Sequence, residues 1–314
     1  MYTIKLRRHP VRFYLLMLMV FSLNIVFLIV AISIAMVGCK ELGNGWVIAI
    51  LILSVVSVTL WYIIYCYFRD SPRMEADSGK IMFRGSEAYN WDDVAVIEFN
   101  EVQCANLMYP GPMYGMRFCF KDGTEQSLLN DMYLNLWQLK QFVQQVVVDK
   151  QSYTGYTCPA VKKEEVGDDL FQYFRGNQFT SGRGIMLWVS IPLIVVSVSH
   201  SDDLTDIIAC FITFLPVLYP LFYFWSLALN FFGVSGHFVV IKNHNIFWRK
   251  KYYRIADILE AIFDPGGHLG SSLHIVTKDF KTRSFPAGTL RKRHWQALKE
   301  ELERRGIVVH DHPY

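Results

Sequence analysis

Four long apolar runs and two polar stretches alternate along the chain. The first pair of runs occupies Tyr14–Phe68 around a short polar link, and Ile185–His200 and Leu204–Phe232 form the second pair. About 20 apolar residues in a helix already span a hydrocarbon core ~30 Å thick. The pattern therefore predicts two transmembrane hairpins, at residues 14–68 and 184–232.

The polar stretch 79–150 changes its period along its length. Met113–Phe120 and Thr124–Leu129 flank the turn Lys121–Gly123, which predicts a β-hairpin. Apolar positions from Leu136 to Val146 then recur at helical spacing, with Asn130 or Asp131 as the N-cap. We expect a module of antiparallel strands closed by one helix.

Residues 236–306 repeat this order. Asn245–Trp248 is a strand candidate, and a turn at Lys278–Phe280 separates two further strands. Thr289 is the expected cap of a closing helix that Gly306 ends. The segment Trp91–Phe99 also aligns with Ile255–Phe263, so the pattern predicts a duplicated α+β unit.

Shorter segments separate these parts. Residues 1–13 form an N-terminal segment, and residues 307–314 a solvated C-terminal tail. Residues 151–183 form a linker, in which the apolar cluster from Leu170 to Phe174 favours either a short helix on a membrane surface or a partly ordered connector.

The distribution of cations predicts how the hairpins are oriented. Arg7, Arg8 and Arg12 precede the first run and Arg69 follows the second, whereas the links within the hairpins carry few cations. By the positive-inside rule, both termini and both modules lie in the cytoplasm. The predicted location is the cytoplasmic (inner) membrane, with a multi-pass topology. Met36–Cys39 loosely resembles a lipoprotein cleavage box, which leaves lipidation of Cys39 as an alternative to a retained anchor.

The composition is consistent with the long apolar runs, and the sequence shows no recognisable set of catalytic residues. Hydrophobic residues make up 52% of the 314 positions, and the mean hydropathy is +0.22. The six cysteines have no metal-binding spacing, and Gly266–Gly270 lacks the lysine of a phosphate loop. His310–His312 could chelate only weakly from a solvated tail. We therefore predict no enzyme activity, no cofactor and no metal.

The two modules differ in charge. Residues 79–150 carry six Lys and Arg against nine Asp and Glu, whereas residues 236–314 carry fourteen against eight. The candidate anionic-lipid or docking patch of the second module is formed by Arg249, Lys250, Lys251, Arg254, Arg283, Arg291, Lys292 and Arg293. Such cations attract anionic lipid headgroups at about 1 kcal/mol each near a surface. Docking on the acidic first module, within one chain or between copies, is the alternative, as are ordinary solvated faces.

The order of these elements resembles the bacterial pleckstrin-homology-like membrane proteins. The resemblance depends on Trp91–Val94 and Lys121–Gly123 in the first unit, and on Asp257–Ile258, Lys278–Asp279 and the helix from Thr289 in the second. It implies two antiparallel sheet or barrel modules, each closed by a C-terminal helix. It brings no catalytic residues.

Together these observations predict a non-catalytic membrane scaffold or regulator. Its partners would be the lipid bilayer, anionic headgroups, another protein or a second copy of the chain, and not nucleic acid. The alternative is a transporter or membrane enzyme with a site between the helices, which would use Asn24, Asn230 and the segment Pro216–Pro220.

Overall fold

The structure is a computed structural model that divides into two compact units, residues 1–155 and 156–314. It describes residues 2–10, scattered positions between 14 and 32, and then 45–83, 88–103, 113–167, 169–189 apart from 183 and 186–187, 222–267 apart from 224, and 270–311. Each unit is described by itself.

Unit 1 contains two antiparallel sheets and a closing helix. Its elements are β1 Ile4–Lys5, helix α1 Gly45–Asp70, β2 Met74–Ala76, β3 Lys80–Phe83, β4 Ala88–Asn90, β5 Val94–Gln103, β6 Met113–Phe120, β7 Glu125–Leu129 and helix α2 Leu136–Phe142. The first sheet has the order β1-β2-β3-β4 and the second the order β5-β6-β7. A 3-10 turn, Trp91–Asp93, joins the sheets, and α2 continues as a π-helical turn to Val148.

The core of unit 1 forms where the inner faces of the two sheets meet α2. Ile81, Met116, Phe118, Leu128 and Leu139 are fully buried there. Alternate residues of a strand point to one face, so the spacing of Met116, Phe118 and Phe120 places all three in this core.

Unit 2 repeats the two successive sheets and the following helix of unit 1, and adds a short helix before them and a strand after them. It contains a short helix α3 Lys163–Val166, β8 Gln172–Phe174, β9 Asn230–Val234, β10 Phe238–Asn243, β11 Lys250–Arg254, β12 Ile258–Gly267, β13 Gly270–Thr277, β14 Thr282–Pro286, helix α4 Lys292–Arg304 and β15 Val308–Asp311. One sheet has the order β11-β10-β9-β8 and the other β14-β13-β12-β15, in which β15 is parallel to β12. A 3-10 turn at Ile255–Asp257 occupies the place of Trp91–Asp93 in unit 1.

In both units the apolar runs are inserted between the first strand and the rest of the sheet. β1 pairs with β2, although residues 14–68 lie between them in sequence, and β8 pairs with β9 across residues 185–229. The sequence pattern placed the hairpins ahead of the modules. The segments 1–13 and 151–183, treated above as flanks, instead contribute a strand each.

The prediction of four transmembrane helices in a multi-pass protein is wrong. In the part of the chain that the structure describes, no helix combines the length and the apolar character needed to cross a bilayer. A hydropathy pattern does not distinguish lipid contact from burial against protein: Tyr67 of α1 is fully buried in the core of unit 1, and Leu60 and Ile64 pack with Met17. Other apolar side chains of α1, among them Leu51 and Trp61, are exposed.

The predictions that depended on those helices are corrected with them. They are the location in the cytoplasmic membrane, the membrane scaffold or regulator, and the alternative of a transporter or membrane enzyme. Most of the first run and most of residues 190–221 lie outside the described residues, as do Cys39, Pro216 and Pro220. Asn230, proposed as a polar group between helices, is a buried strand residue whose amide donates to the carbonyls of Leu227 and Pro286.

Several local predictions also need correction. The N-cap of α2 is Asn135 and not Asn130 or Asp131, and that of α4 is Arg291 and not Thr289, because each helix begins a few residues later than its predicted cap. Asn245–Trp248 forms the β10–β11 connection, and the cluster from Leu170 to Phe174 ends in strand β8. The tail is ordered as far as Asp311 in β15. The hairpin turns at Lys121–Gly123 and Lys278–Phe280 are confirmed, as is Gly306 after α4, with a φ of +80°.

Candidate functional site: a basic groove in unit 2

A groove of about 430 Å³ runs along unit 2. Its walls are β11 and β14, the end strands of the two sheets, and the segment Cys158–Val161, which we call the strap. Rings from both strands pack beneath it, with Tyr253 and Phe285 6.1 Å apart between centroids. Lys250, Lys251, Arg254, Lys281 and Arg283 line it, together with Asp257 and Asp279.

Asp279 forms the buried anchor at one end of the groove. Its side chain is 1% exposed and accepts hydrogen bonds from the Thr277 hydroxyl, from Lys281 Nζ at 2.7 Å and from the Cys158 N–H at 3.1 Å. Burial alone would raise the pKa of this carboxyl, but these donors hold the pKa below its ordinary value. Asp279 is therefore an anion whose charge is already satisfied by the protein.

Arg254 holds the strap at a second point, through the carbonyl oxygen of Pro159. Its guanidinium pairs with Glu165 of α3, with Asp257 at 3.2 Å and with the carbonyl oxygen of Pro159 at 3.2 Å. The bond from Arg254 lowers the pKa of Glu165. Because the guanidinium of Arg254 already donates to groups of the protein, Arg254 positions the strap, and other cations of the groove are better placed to bind a ligand.

The remaining cations of the groove have no carboxylate partner among the described residues. Lys250, Lys251 and Arg283 form no ion pair there, and the Lys251 ammonium lies 5.5 Å from the centre of the Phe285 ring. Burial, reinforced by the nearby charges of Arg283 and Arg249, lowers the pKa of Lys251 to about 8. Like charges held together without a counter-charge are unfavourable, and a bound anion would relieve them.

The structure brings together only part of the predicted patch. Lys250, Lys251, Arg254 and Arg283 line the groove, and Arg249 lies next to them at the start of β11. Arg291, Lys292 and Arg293 are exposed at the start of α4 and do not line it. These eight residues were predicted to form one patch from their charge alone. In the structure they form two groups, one at the groove and one at the start of α4.

Three contributors to the groove were not anticipated from the sequence. Asp279 was assigned only to a turn, Lys281 only to the start of the strand after it, and the strap to the segment predicted as a linker. The contacts of the strap with Arg254 and Asp279 join residues about 100 positions apart, and no local pattern records such contacts. The Lys–Asp pair of the turn, present in both units, was the one signal available.

Other sequence candidates are not assembled into sites. His310 contacts Glu260 at 3.2 Å on β12 and does not lie in a solvated tail, while His312 lies outside the described residues. His274 contacts the Ser272 hydroxyl at 3.0 Å within β13. Among the described residues, no group of His, Cys, Asp and Glu side chains could hold a metal ion.

Comparison with known proteins adds no identity. The chain matches no protein-family model, and neither the curated proteins nor the solved structures include a significant match.

Proposed function

We propose that unit 2 is a non-catalytic binding module whose groove holds a phosphate-bearing anion. The observation that carries the proposal is that Lys250, Lys251 and Arg283, on the facing walls of one groove, form no ion pair with any other described residue. Arginine and lysine side chains bind phosphate by charge-assisted hydrogen bonds worth about 1.5–3 kcal/mol each. The groove volume also lies within the usual range for small-ligand sites, about 300–1,000 Å³.

A multiply charged phosphate matches this groove better than a carboxylate does. A phosphate monoester carries close to two negative charges at neutral pH and has three acceptor oxygens. Three cations on two strands supply donors from more than one direction, which suits that geometry. Asp279 and Asp257 are already paired and leave the excess of positive charge in place.

The resemblance to pleckstrin-homology-like modules is part of the proposal. Its support is that each unit contains a four-stranded antiparallel meander, a second meander of three antiparallel strands and a following helix, to which unit 2 adds the parallel strand β15. A full pleckstrin-type barrel has seven strands, the number that these two meanders provide together. The resemblance contributes an architecture, and the ligand class depends on the groove alone.

The test compares two triple variants of the full chain that lose equal charge. In the groove variant Lys250, Lys251 and Arg283 become Gln, and in the control Arg291, Lys292 and Arg293 become Gln. We expect tripolyphosphate affinity, measured by calorimetry, to fall at least about 30-fold in the groove variant and less than about threefold in the control, since only the former loses direct contacts. Equal losses would indicate diffuse charge attraction and would refute the groove as the site.

A second arm separates the two sources of such a phosphate. Sedimentation with vesicles of neutral lipid, with or without anionic phospholipid, is compared with binding of soluble tripolyphosphate. Groove-dependent binding to anionic vesicles only would assign the site to a lipid headgroup, and groove-dependent binding to tripolyphosphate would assign it to a soluble phosphate. If neither depends on the groove, the proposed function is wrong.

A further inference from the structure

The groove contains a lysine whose surroundings differ from those of its neighbours. Lys250 is exposed, whereas Lys251 is partly buried on β11 with its ammonium above the face of Phe285. Arg283 of β14 and Arg249 at the start of β11 both act on it as nearby positive charges. Desolvation and a neighbouring cation are the two conditions that convert a lysine into a nucleophile at neutral pH.

The other charged and titratable groups around Lys251 do not cancel this effect. Lys281 and the carboxylates Asp279 and Asp257 line the same groove, but each carboxylate already has a cationic partner in Lys281 or Arg254. Tyr253 on the same strand stays protonated, because burial raises its pKa to about 12. The environment of Lys251 is therefore apolar on one side and cationic on the other.

The groove combines cations that can bind a phosphate with the amine of Lys251. Lys250 and Arg283 line the groove and can hold a phosphate, and the amine of Lys251 lies close to Arg283 and Arg249. At pH 7.5 an amine with a pKa of about 8 is roughly one quarter neutral, against about 0.1% for an ordinary lysine. A phosphate-bearing electrophile would thus be held beside an amine able to attack it.

We propose that Lys251 is a covalent attachment site for phosphate-bearing carbonyl compounds, with which its ε-amine forms an imine. The amine nitrogen attacks the carbonyl carbon to give a carbinolamine. Loss of water then leaves a carbon–nitrogen double bond, so that the two hydrogens of the neutral amine and the carbonyl oxygen leave together as H2O. No oxidant or reductant is needed. This inference deepens the proposed function, because it relies on the same groove to hold the phosphate.

Pyridoxal 5′-phosphate is the probe for the test, since it carries both an aldehyde and a phosphate. The full chain is treated with it at pH 7.5, the imine is reduced with borohydride, and the modified lysines are located by peptide mass spectrometry. We expect Lys251 to be labelled at least about tenfold more than Lys250. Lys292→Arg, which lies outside the groove, should leave the labelling of Lys251 unchanged, and Lys251→Arg should leave only the weaker labelling of the other groove lysines.

A second probe tests the role of the phosphate. Pyridoxal has the aldehyde without the phosphate, so it should label Lys251 several-fold less at the same concentration. In Arg283→Gln the advantage of the phosphorylated probe should shrink. Labelling spread evenly over the exposed lysines, or equal labelling of Lys251 by both probes, would overturn the proposal.

Failure of this inference can be told apart from failure of the proposed function. Groove-dependent binding of tripolyphosphate with no preference for Lys251 in the labelling experiment would overturn the attachment site alone. Loss of groove dependence in the calorimetry would overturn the binding module whether or not Lys251 is labelled.

Discussion

At the scale of single residues, Asp279 determines how the end of the groove is built. A carboxylate that is 1% exposed survives as an ion only because a lysine, a hydroxyl and a backbone N–H donate to it. It also links the strap to β13 and β14, through Cys158, Thr277 and Lys281. Its role is structural, in contrast to Lys250, Lys251 and Arg283, which form no ion pair with another described residue.

Asp279→Asn should destabilise unit 2 by about 1–3 kcal/mol at pH 7, since the amide replaces one acceptor with a donor and leaves Lys281 without its counter-charge. Because the folded-state pKa of Asp279 is lowered, its contribution is complete above the ordinary carboxyl pKa and is lost as the pH falls through the folded value. Urea unfolding at pH 7 and pH 3 measures both effects.

The exposed Asp92 provides the control, and Asp92→Asn should change stability by less than about 0.5 kcal/mol. If Asp279→Asn left the urea midpoint unchanged at pH 7, the anchoring role of this carboxylate would be wrong.

Gly115 shows a different constraint, one of space. A Cβ built on it would lie 2.5 Å from the carbonyl oxygen of Leu128, where β6 pairs with β7. We expect Gly115→Ala to cost about 1–3 kcal/mol, because a backbone atom and not a side-chain tip must move. Gly79→Ala is the matched control, since its Cβ would make only an ordinary contact of 3.6 Å with the Asp77 carboxylate. Thermal unfolding of the two variants should separate them, and equal melting temperatures would contradict the close approach.

At the scale of elements, the C-terminal segment illustrates how a strand can be missed. Residues 307–314 were predicted to be a solvated tail because they follow the last predicted helix at the end of the sequence. In the structure Val308–Asp311 pairs in parallel with β12, and Lys299 of α4 forms an ion pair with Asp311. Gly306 allows the reversal between α4 and β15 by adopting a positive φ.

A chain that ends at Ile307 should be less stable by about 1–3 kcal/mol than one that ends at Asp311, because the edge of β12 loses its backbone partner. Comparison of the two truncations by urea unfolding makes the measurement, and both keep the buried Ile307. Identical unfolding midpoints would show that β15 adds nothing to the sheet.

At the scale of the whole molecule, each unit is assembled from segments that are far apart in sequence. Residues 2–10 supply β1 and several backbone bonds, including the Leu6 N–H to the Met74 carbonyl and the His9 N–H to the Met132 carbonyl. Ile4 and Leu6 are buried in the core of unit 1. Residues 2–10 are therefore part of the fold of unit 1.

Ile4→Ala should consequently destabilise unit 1 by about 2–4 kcal/mol, the usual cost of deleting a buried branched side chain. Lys5→Ala, on the same short strand, should cost less than about 0.5 kcal/mol, because its ion pair with Glu75 is exposed. Chemical denaturation of the two full-length variants provides the comparison. A similar small effect for both would mean that β1 is not required by the core.

Only part of the groove could be predicted from the sequence. Lys250, Lys251, Arg254 and Arg283 were identified by charge, but charge alone also selected Arg291–Arg293, which lie outside the groove. Nothing local separates Lys251 from Lys250, although one is partly buried and the other exposed. That difference depends on which face of β11 is turned toward β14, because neighbouring residues of a strand point to opposite faces.

The sequence by itself determined what depends on neighbouring residues. Turn residues and alternation placed the hairpins at Lys121–Gly123 and Lys278–Phe280, and the repeat revealed two similar units, because these patterns record local backbone preference. Only the tertiary structure decided where the apolar runs belong, that β1 and β8 complete sheets formed mostly by later residues, and which cations face one another. Hydropathy measures the tendency of a side chain to leave water and does not specify what it packs against, so these long-range pairings became visible only in the folded chain.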